Sequence, residues 1–360
     1  MHCSTIMKKY AEERFQFCVW MARIAKKRDI ENKEKMERGD KPRQELDIFK
    51  KPDHLKCMFG EFIKTPLYTE LATLQGYNYG AYCIVAFGNK LYSGNRDRTI
   101  RIWNIETYEY IATLRGHTNS VTCITISENK LYSGDGNNTI RIWNTETHKH
   151  IATLIGHTGC VTCLTLHDNK LYSGSNDKTI CVWNTDTYEC ITTMRGHTSW
   201  VSCLTIHEKK MYSGGYDNTI RVWNAETYEC IATLLGHTNS VSCFTICKNY
   251  LVSGSFDKTI RIWNTETHKH IATLIGHMWG VSCLNISENR LFSGSNDDII
   301  RIWNIETWKE ISYLRLWHTG SVNCITGTVS CLTGSVCCLT NGGHKLVSGS
   351  YDNTIRVWKI

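Results

Sequence analysis

The sequence predicts an all-β fold, a closed seven-bladed β-propeller with a short helical N-terminal extension. Three observations predict it. Tryptophan recurs every forty residues, at Trp103, Trp143, Trp183, Trp223, Trp263 and Trp303, with Trp358 after a longer gap. A fixed period of this size marks a repeat architecture. Each period holds four short runs rich in β-branched residues, the size of one propeller blade. The last unit holds only three such runs, and a matching fourth lies ahead of the first unit.

Residues 1–66 differ from the rest. All three prolines, Pro42, Pro52 and Pro66, lie here, and Pro66 marks the boundary between an extension, 1–66, and a repeat domain, 67–360. Within 5–27, Ile6, Tyr10, Phe17, Trp20, Met21 and Ile24 fall near helical spacing. This stretch is a candidate for dimerisation, for docking on the propeller or for binding a partner helix. Residues 28–47 are highly charged, as in an exposed helix or linker. The extension carries 16 Lys and Arg against 11 Asp and Glu, leaving 25 against 23 for 67–360. The repeat region is thus near neutral, and no broad surface for nucleic acid is implied. Lys26-Lys27-Arg28 is the one basic run that points that way, and such runs are usually solvated helix faces.

One unit justifies the strands. Val121–Ile126 alternates as a strand, Ser127–Lys130 turns, and Leu131–Ser133 begins a second strand. Gly134–Asn138 is a tight turn, Thr139–Trp143 a third strand, Asn144–Lys149 another turn and His150–Leu154 a fourth strand. At the end of the chain Thr354–Trp358 is a third strand. Leu71-Ala-Thr-Leu74 matches Ile151-Ala-Thr-Leu154, so the strand near 68–75 is expected to complete the blade of Trp358. Such a clasp removes open sheet edges.

The Gly-His and Trp-Asn phrases, as in Gly116-His117 and Trp143-Asn144, resemble the WD-repeat (WD40) family, whose phrase is Gly-His…Trp-Asp. Asn replaces the last Asp in six units and Lys359 in the seventh. The wording Leu171-Tyr-Ser-Gly-Ser-Asn-Asp-Lys-Thr-Ile180 is similar to WD domains of F-box/RING ubiquitin-ligase receptors and of amoebal myosin heavy-chain kinases. The resemblance implies buried tetrads in which Trp, Ser, His and Asp satisfy one another. The first complete set is His157 with Ser173, Asp177 and Trp183. The next three are His197 with Ser213, Asp217 and Trp223, His237 with Ser253, Asp257 and Trp263, and His277 with Ser293, Asp297 and Trp303. A nucleophilic triad is needed once, in one cleft. A set repeated round a ring is scaffold, and no catalytic residue is assigned. Two units depart. Tyr77 stands where the first His is expected, and Asn137 where the second Asp is expected. Both blades are expected to be locally weaker.

The 18 cysteines fall mostly into repeat slots. Cys83, Cys123, Cys163, Cys203, Cys243, Cys283 and Cys324 share one slot and read as small buried hydrophobes. Zinc needs a second pair near each close pair, such as Cys160/Cys163, and none is present. No metal and no cofactor are expected. This many unpaired thiols fits an intracellular protein, cytoplasmic in the first place or nuclear. The start, Met1–Lys9, has no apolar run of a secretory signal.

Positions that vary between units carry the candidate function. One set follows the Gly-His, the other precedes the turn Asp, and both are expected on the narrower top face. Trp200, Tyr216, Phe256 and Trp279 come from three consecutive units, and Tyr351 and Tyr79 extend the patch. Arg96 is the only arginine in either set. Phosphate recognition needs fork-like donors and is disfavoured. Gly320–Thr326, Gly327–Thr333 and Gly334–Thr340 are three copies of one heptad. The third is favoured as the inner strand, because Asn341-Gly-Gly343 makes a short hairpin.

The leading function is a non-enzymatic scaffold that binds peptides or loops of other proteins on the top face. The alternative is a substrate receptor of a ubiquitin ligase, against which residues 1–66 show no F-box and no RING-type Cys/His pairs. No small-molecule substrate is implied. No apolar run approaches the length needed to span a bilayer.

Overall fold

The computed structural model describes residues 69–74, 81–287, 289–297, 299–315, 322–327, 345–350 and 354–359. These residues form 28 strands in seven four-stranded antiparallel sheets. The candidate helix over 5–27 lies outside the described residues, as do Tyr77, Tyr79 and Tyr351. No helix among the described residues is long and apolar enough to cross a membrane.

Blades 1 to 6 each follow the chain, inner strand to outer. In blade 3 the strands are Val161–His167, Lys170–Ser175, Thr179–Asn184 and Cys190–Arg195. The inner strands contact one another in sequence, and the innermost strand of blade 7 contacts that of blade 1, so the ring closes. The second strand of each blade lies between neighbouring sheets. Leu171-Tyr-Ser-Gly-Ser175 is therefore buried without a break, because both of its faces are covered. The outer strand begins exposed, as at Cys190 and Ile191.

The recurrent wording has local causes. In each inner strand the register slips ahead of the Cys, as between Val161 and Cys163, with Ala81 in place of the Val in blade 1. The Cys then packs beside the glycine of the second strand. A Cβ on Gly174 would come within 2.6 Å of the Cys163 sulfur and 2.7 Å of Val201 in the next blade. Only glycine lets the blades approach this closely. The Asn of each Trp-Asn phrase caps a turn. Asn184 Oδ1 accepts the N–H groups of Asp186 and Thr187 at 2.8 and 2.9 Å. An acceptor is all the turn needs, which is why Asn serves in place of Asp.

Neighbouring blades are stitched twice. Near one face, in blades 2 to 5, the hydroxyl after the inner-strand Val donates to the next blade's Val carbonyl. Thr162 reaches Val201 O at 2.5 Å and Ser242 reaches Val281 O at 2.5 Å, and Thr122 and Ser202 bond Val161 and Val241 alike. Near the other face, lysines at the start of the second strands donate to turn carbonyls of the next blade. Lys90 reaches Thr145 O at 3.2 Å, Lys130 reaches Thr185 O at 3.0 Å and Lys210 reaches Thr265 O at 2.9 Å. Lys345 of blade 7 makes the same bond to Ile105 O of blade 1 at 3.0 Å, carrying the stitch across the closure.

The clasp forms as the sequence predicts. Thr69–Leu74 pairs antiparallel with Ile355–Lys359, Leu74 opposite Ile355 and Thr69 opposite Lys359. Leu74 is buried with Ile355, Val357 and Trp103, in a cluster that spans blades 7 and 1. The heptad expectation is corrected. The inner strand of blade 7 is the first copy, Val322–Gly327, with Val322 opposite Ser350 and Cys324 opposite Gly349. Apart from Gly327, the two later copies lie outside the described residues. This register repeats the Val/Cys slip of blades 2 to 6, and that fit outweighs the short hairpin that favoured the third copy.

Because Leu74 seals the junction where the ring closes, Leu74→Ala is expected to cost about 2–5 kcal/mol. The exposed Leu71→Ala should cost about 0.5 kcal/mol or less. Urea denaturation of both variants checks this; equal losses would place the clasp's contribution elsewhere.

Candidate functional site

The buried tetrads are built as the family resemblance implies. In blade 3 the Trp183 indole N–H donates to Ser173 Oγ at 2.8 Å, and that hydroxyl meets His157 Nε2 at 2.7 Å. His157 Nδ1 donates to Asp177 Oδ2 at 2.8 Å. Asp177 also accepts from the Thr158 N–H at 2.9 Å and the Thr179 hydroxyl at 2.6 Å.

The next three blades repeat the set. In blade 4 Ser213 Oγ accepts the Trp223 N–H at 2.7 Å and meets His197 Nε2 at 2.8 Å, with His197 Nδ1 2.8 Å from Asp217. In blade 5 Ser253 Oγ accepts from Trp263 at 2.9 Å and meets His237 at 2.8 Å, with His237 2.7 Å from Asp257. In blade 6 Ser293 Oγ accepts from Trp303 at 2.9 Å and meets His277 at 2.8 Å, with His277 2.9 Å from Asp297. Ser173, Ser213, Ser253 and Ser293 are all fully buried. Each sits inside the blade with its hydroxyl held by Trp and His. The glycine before each His lies over the tryptophan. A Cβ on Gly156 would come within 2.7 Å of the Trp183 ring edge.

Burial opposes the Asp177 carboxylate, but the hydrogen bonds from His157, Thr179 and Thr158 outweigh it and hold its pKa well below the usual range. Asp135, Asp217, Asp257 and Asp297 shift the same way, each against burial and through its histidine first. Burial likewise opposes the charged ring of His157, and its bonds to Asp177 and Cys181 overcome it, lifting the ring to about 9.

Asn137 does not take the acceptor's place. Asp135, two residues earlier, receives His117 Nδ1 at 2.8 Å, and both side chains are buried. Ser133 completes the set with His117 at 2.6 Å and Trp143 at 2.8 Å. Asn137 instead donates to the Thr118 hydroxyl at 2.7 Å on the surface. The expectation of a weaker second blade is therefore withdrawn; its acceptor is charged and fully buried. Blade 1 does depart. Asp97 there accepts Arg101 Nη2 at 2.9 Å and the Thr99 hydroxyl at 2.5 Å. The arginine of the third strand takes the carboxylate.

The two variable sets do meet on one face. Antiparallel strands bring the loop ahead of each inner strand and the turn after each second strand to the same edge. A backbone bond ties them in each of blades 2 to 6: Gly136 N–H to Ser120 O at 3.1 Å, Asn176 to Cys160 at 2.9 Å, Tyr216 to Trp200 at 2.8 Å, Phe256 to Ser240 at 2.9 Å and Asn296 to Gly280 at 3.2 Å.

Three of the predicted aromatics form one chain across two blades. Trp200 and Tyr216 lie 5.3 Å apart, and Tyr216 and Phe256 lie 6.2 Å apart edge to face. Phe256 is half-buried and packs over Gly280, where a Cβ would collide with its ring. Gly280 follows Trp279, which stands 61% exposed, beside Met278 at 51% and with Trp200 at 45%. Met278 is an addition to the predicted set. It breaks a slot that holds Thr118, Thr158, Thr198 and Thr238 in the preceding units, so the repeat itself carried the signal. Arg96 lies apart from this patch. It lines a shallow polar hollow with Asp97, Arg98, Asn119 and Ser120, and its carbonyl accepts the Ser120 hydroxyl at 3.2 Å.

Two outcomes follow for the tetrads. Asp135→Ala should cost about 2–3 kcal/mol, since it strips a buried histidine of its charged acceptor. Asn137→Ala should cost about 0.5 kcal/mol or less. The urea midpoints of the two variants separate these assignments. The lowered carboxylates stabilise the fold fully above their unfolded pKa, about 3.9, and that stability is lost as pH falls further. The raised His157 stabilises it fully below its unfolded pKa, about 6.5, and that share is lost as pH climbs through about 9. Stability measured by urea against pH should therefore peak between about 4 and 6.5 and decline on both sides.

The repeat units match a known family description. "WD domain, G-beta repeat" matches residues 68–104, 108–144, 148–184, 188–224, 228–264, 268–304 and 312–359. No curated protein gives a significant match. Each matched segment runs from the outer strand of one blade to the third strand of the next, the same offset that the clasp requires. With seven matched repeats, one ending at or just after each recurrent tryptophan, and seven sheets in a closed ring, the chain belongs to the WD-repeat family of β-propellers.

Proposed function

We propose that this chain is a non-enzymatic scaffold that grips a peptide segment or loop of a partner protein over blades 4 to 6. WD-repeat propellers act generally as protein-interaction scaffolds. The observation that supports the specific reading is the continuous run Trp200–Tyr216–Phe256, with Trp279 and Met278 exposed beside it. Large aromatic side chains held rigidly at loop tips are the usual anchors of protein interfaces. Their bases are fixed by the backbone bonds between loop and turn, so little order has to be gained on binding.

The slot that would line the central channel supports a neutral ligand. Thr122, Thr162, Ser202 and Ser242 spend their hydroxyls on the neighbouring blade, and none of these positions is an arginine. A doubly phosphorylated peptide would find no forked donors there. The free cysteines among the described residues support a reducing compartment, with the cytoplasm as the first expectation.

Crosslinking of the full chain in cell extract, followed by peptide mapping, should place partner peptides beside Trp200, Tyr216 and Trp279. With the partner so identified, Trp200→Ala combined with Trp279→Ala should weaken binding by about thirtyfold or more with the melting temperature unchanged. Crosslinks confined to the opposite face, or unchanged affinity, would remove this reading.

A further inference from the structure

One blade breaks the repeat in its interior. Two residues before the tryptophan, the third strand carries Arg101, Arg141, Arg221, Arg261, Arg301 and Arg356 in six blades. Blade 3 carries Cys181, which is 2% exposed. The side chain at the start of the outer strand meets this slot. In blade 4 Arg221 Nη1 donates to Cys230 Sγ at 3.8 Å, and in blade 6 Arg301 Nη1 binds both oxygens of Glu310 at 2.7 and 2.8 Å. In blade 3 the outer-strand residue is Cys190, so two thiols occupy slots that touch one another elsewhere in the ring. Cys190 is exposed at the rim and Cys181 is buried behind it.

The surroundings of Cys181 are those of a reactive sulfur. Its Sγ lies 3.7 Å from His157 Nδ1 and 3.6 Å from Thr193 Oγ1. His157 is anchored in turn by Asp177 and Ser173. Burial pushes the inner-strand thiols up, Cys163 and Cys243 to about 12. Burial opposes ionisation of Cys181 too, but the hydrogen bond and charge of His157 outweigh it and hold this thiol below its ordinary value. Burial and the adjoining Cys181 raise Cys190. A buried thiol whose thiolate is favoured is placed to attack a sulfur already oxidised at an accessible partner.

We propose that Cys181 and Cys190 form a peroxide-responsive dithiol, with Cys190 the sulfur that meets hydrogen peroxide and Cys181 the sulfur that resolves it. The Cys190 thiolate attacks one peroxide oxygen. An S–O bond forms, the O–O bond breaks, and hydroxide leaves and takes up the proton Cys190 has shed, giving water and a sulfenic acid. Cys181, its thiolate favoured by His157, attacks Cys190 Sγ. The S–S bond forms, the S–O bond breaks, and the departing hydroxide takes the proton from Cys181. Two thiols and one peroxide give one disulfide and two waters, and the protein is oxidised by two electrons. Because Cys190 is held protonated at neutral pH, the first step should speed up about tenfold per pH unit below its pKa.

The full chain carries its own control. Cys230 is exposed in the same slot of blade 4 but faces Arg221 in place of a second thiol. Both cysteines of the pair lie between Lys178 and Arg195, on one tryptic peptide. After peroxide treatment that peptide should be two hydrogens lighter, refuse alkylation, and recover both thiols with dithiothreitol. Cys230 should instead be trapped as a sulfenic acid by dimedone. Cys181→Arg restores the residue of the other blades, and in that variant Cys190 should also be trapped by dimedone. Dimedone capture of wild-type Cys190 to the extent seen for Cys230, or a disulfide from Cys190 to any other cysteine, would overturn the proposal.

Discussion

In each of blades 2 to 6 a single buried serine hydroxyl holds a tryptophan and a histidine at once. The bond to tryptophan ties the second strand to the third. The bond to histidine ties both to the loop that enters from the preceding blade. The histidine then reaches an aspartate, in the turn above in blades 3 to 6 and at the end of the second strand in blade 2. Four polar groups that would each be costly to bury alone are satisfied by one another. The loop and the turn are thereby fixed on a common edge, and the backbone bonds between them follow from that placement.

The interaction face depends on this constraint. Loop-tip aromatics contribute to binding only if their backbone is already ordered, and in blade 4 the Trp200 loop and the Tyr216 turn are tied both by a direct backbone bond and by His197 with Asp217. The stitches between blades carry the alignment from one unit to the next. Hydroxyls near one face and lysines near the other set the spacing that lets Tyr216 of blade 4 reach Phe256 of blade 5. The same repetition explains why a departure is informative. Where every other blade spends an arginine at the third strand, a cysteine in blade 3 changes the chemistry of a histidine that is otherwise scaffold.

Much of this was legible in the chain itself. The forty-residue period, the four runs per unit and the displaced fourth strand led directly to seven blades and a clasp. The tetrads around Ser173, Ser213, Ser253 and Ser293 were readable because their residues keep constant spacing. Asp135 was missed for the same reason. Spacing pointed to position 137, whereas a carboxylate two residues earlier reaches the same histidine from the end of the strand. The choice among three heptads failed because it weighed a local hairpin. The register that forms is the one that also fits the neighbouring blades.

Sequence alone determined the architecture of this protein, because each blade repeats one pattern of burial and turn chemistry and a period needs no coordinates to be seen. It also marked which loop positions vary. Tertiary structure decided which of those positions meet. Trp200, Tyr216 and Phe256 become neighbours across a blade boundary, while Arg96 lies apart in a polar hollow. It likewise brought Cys181 to His157, residues 24 apart in sequence. Contacts of this kind depend on how strands are paired and how sheets are stacked round the ring, and a linear period records neither.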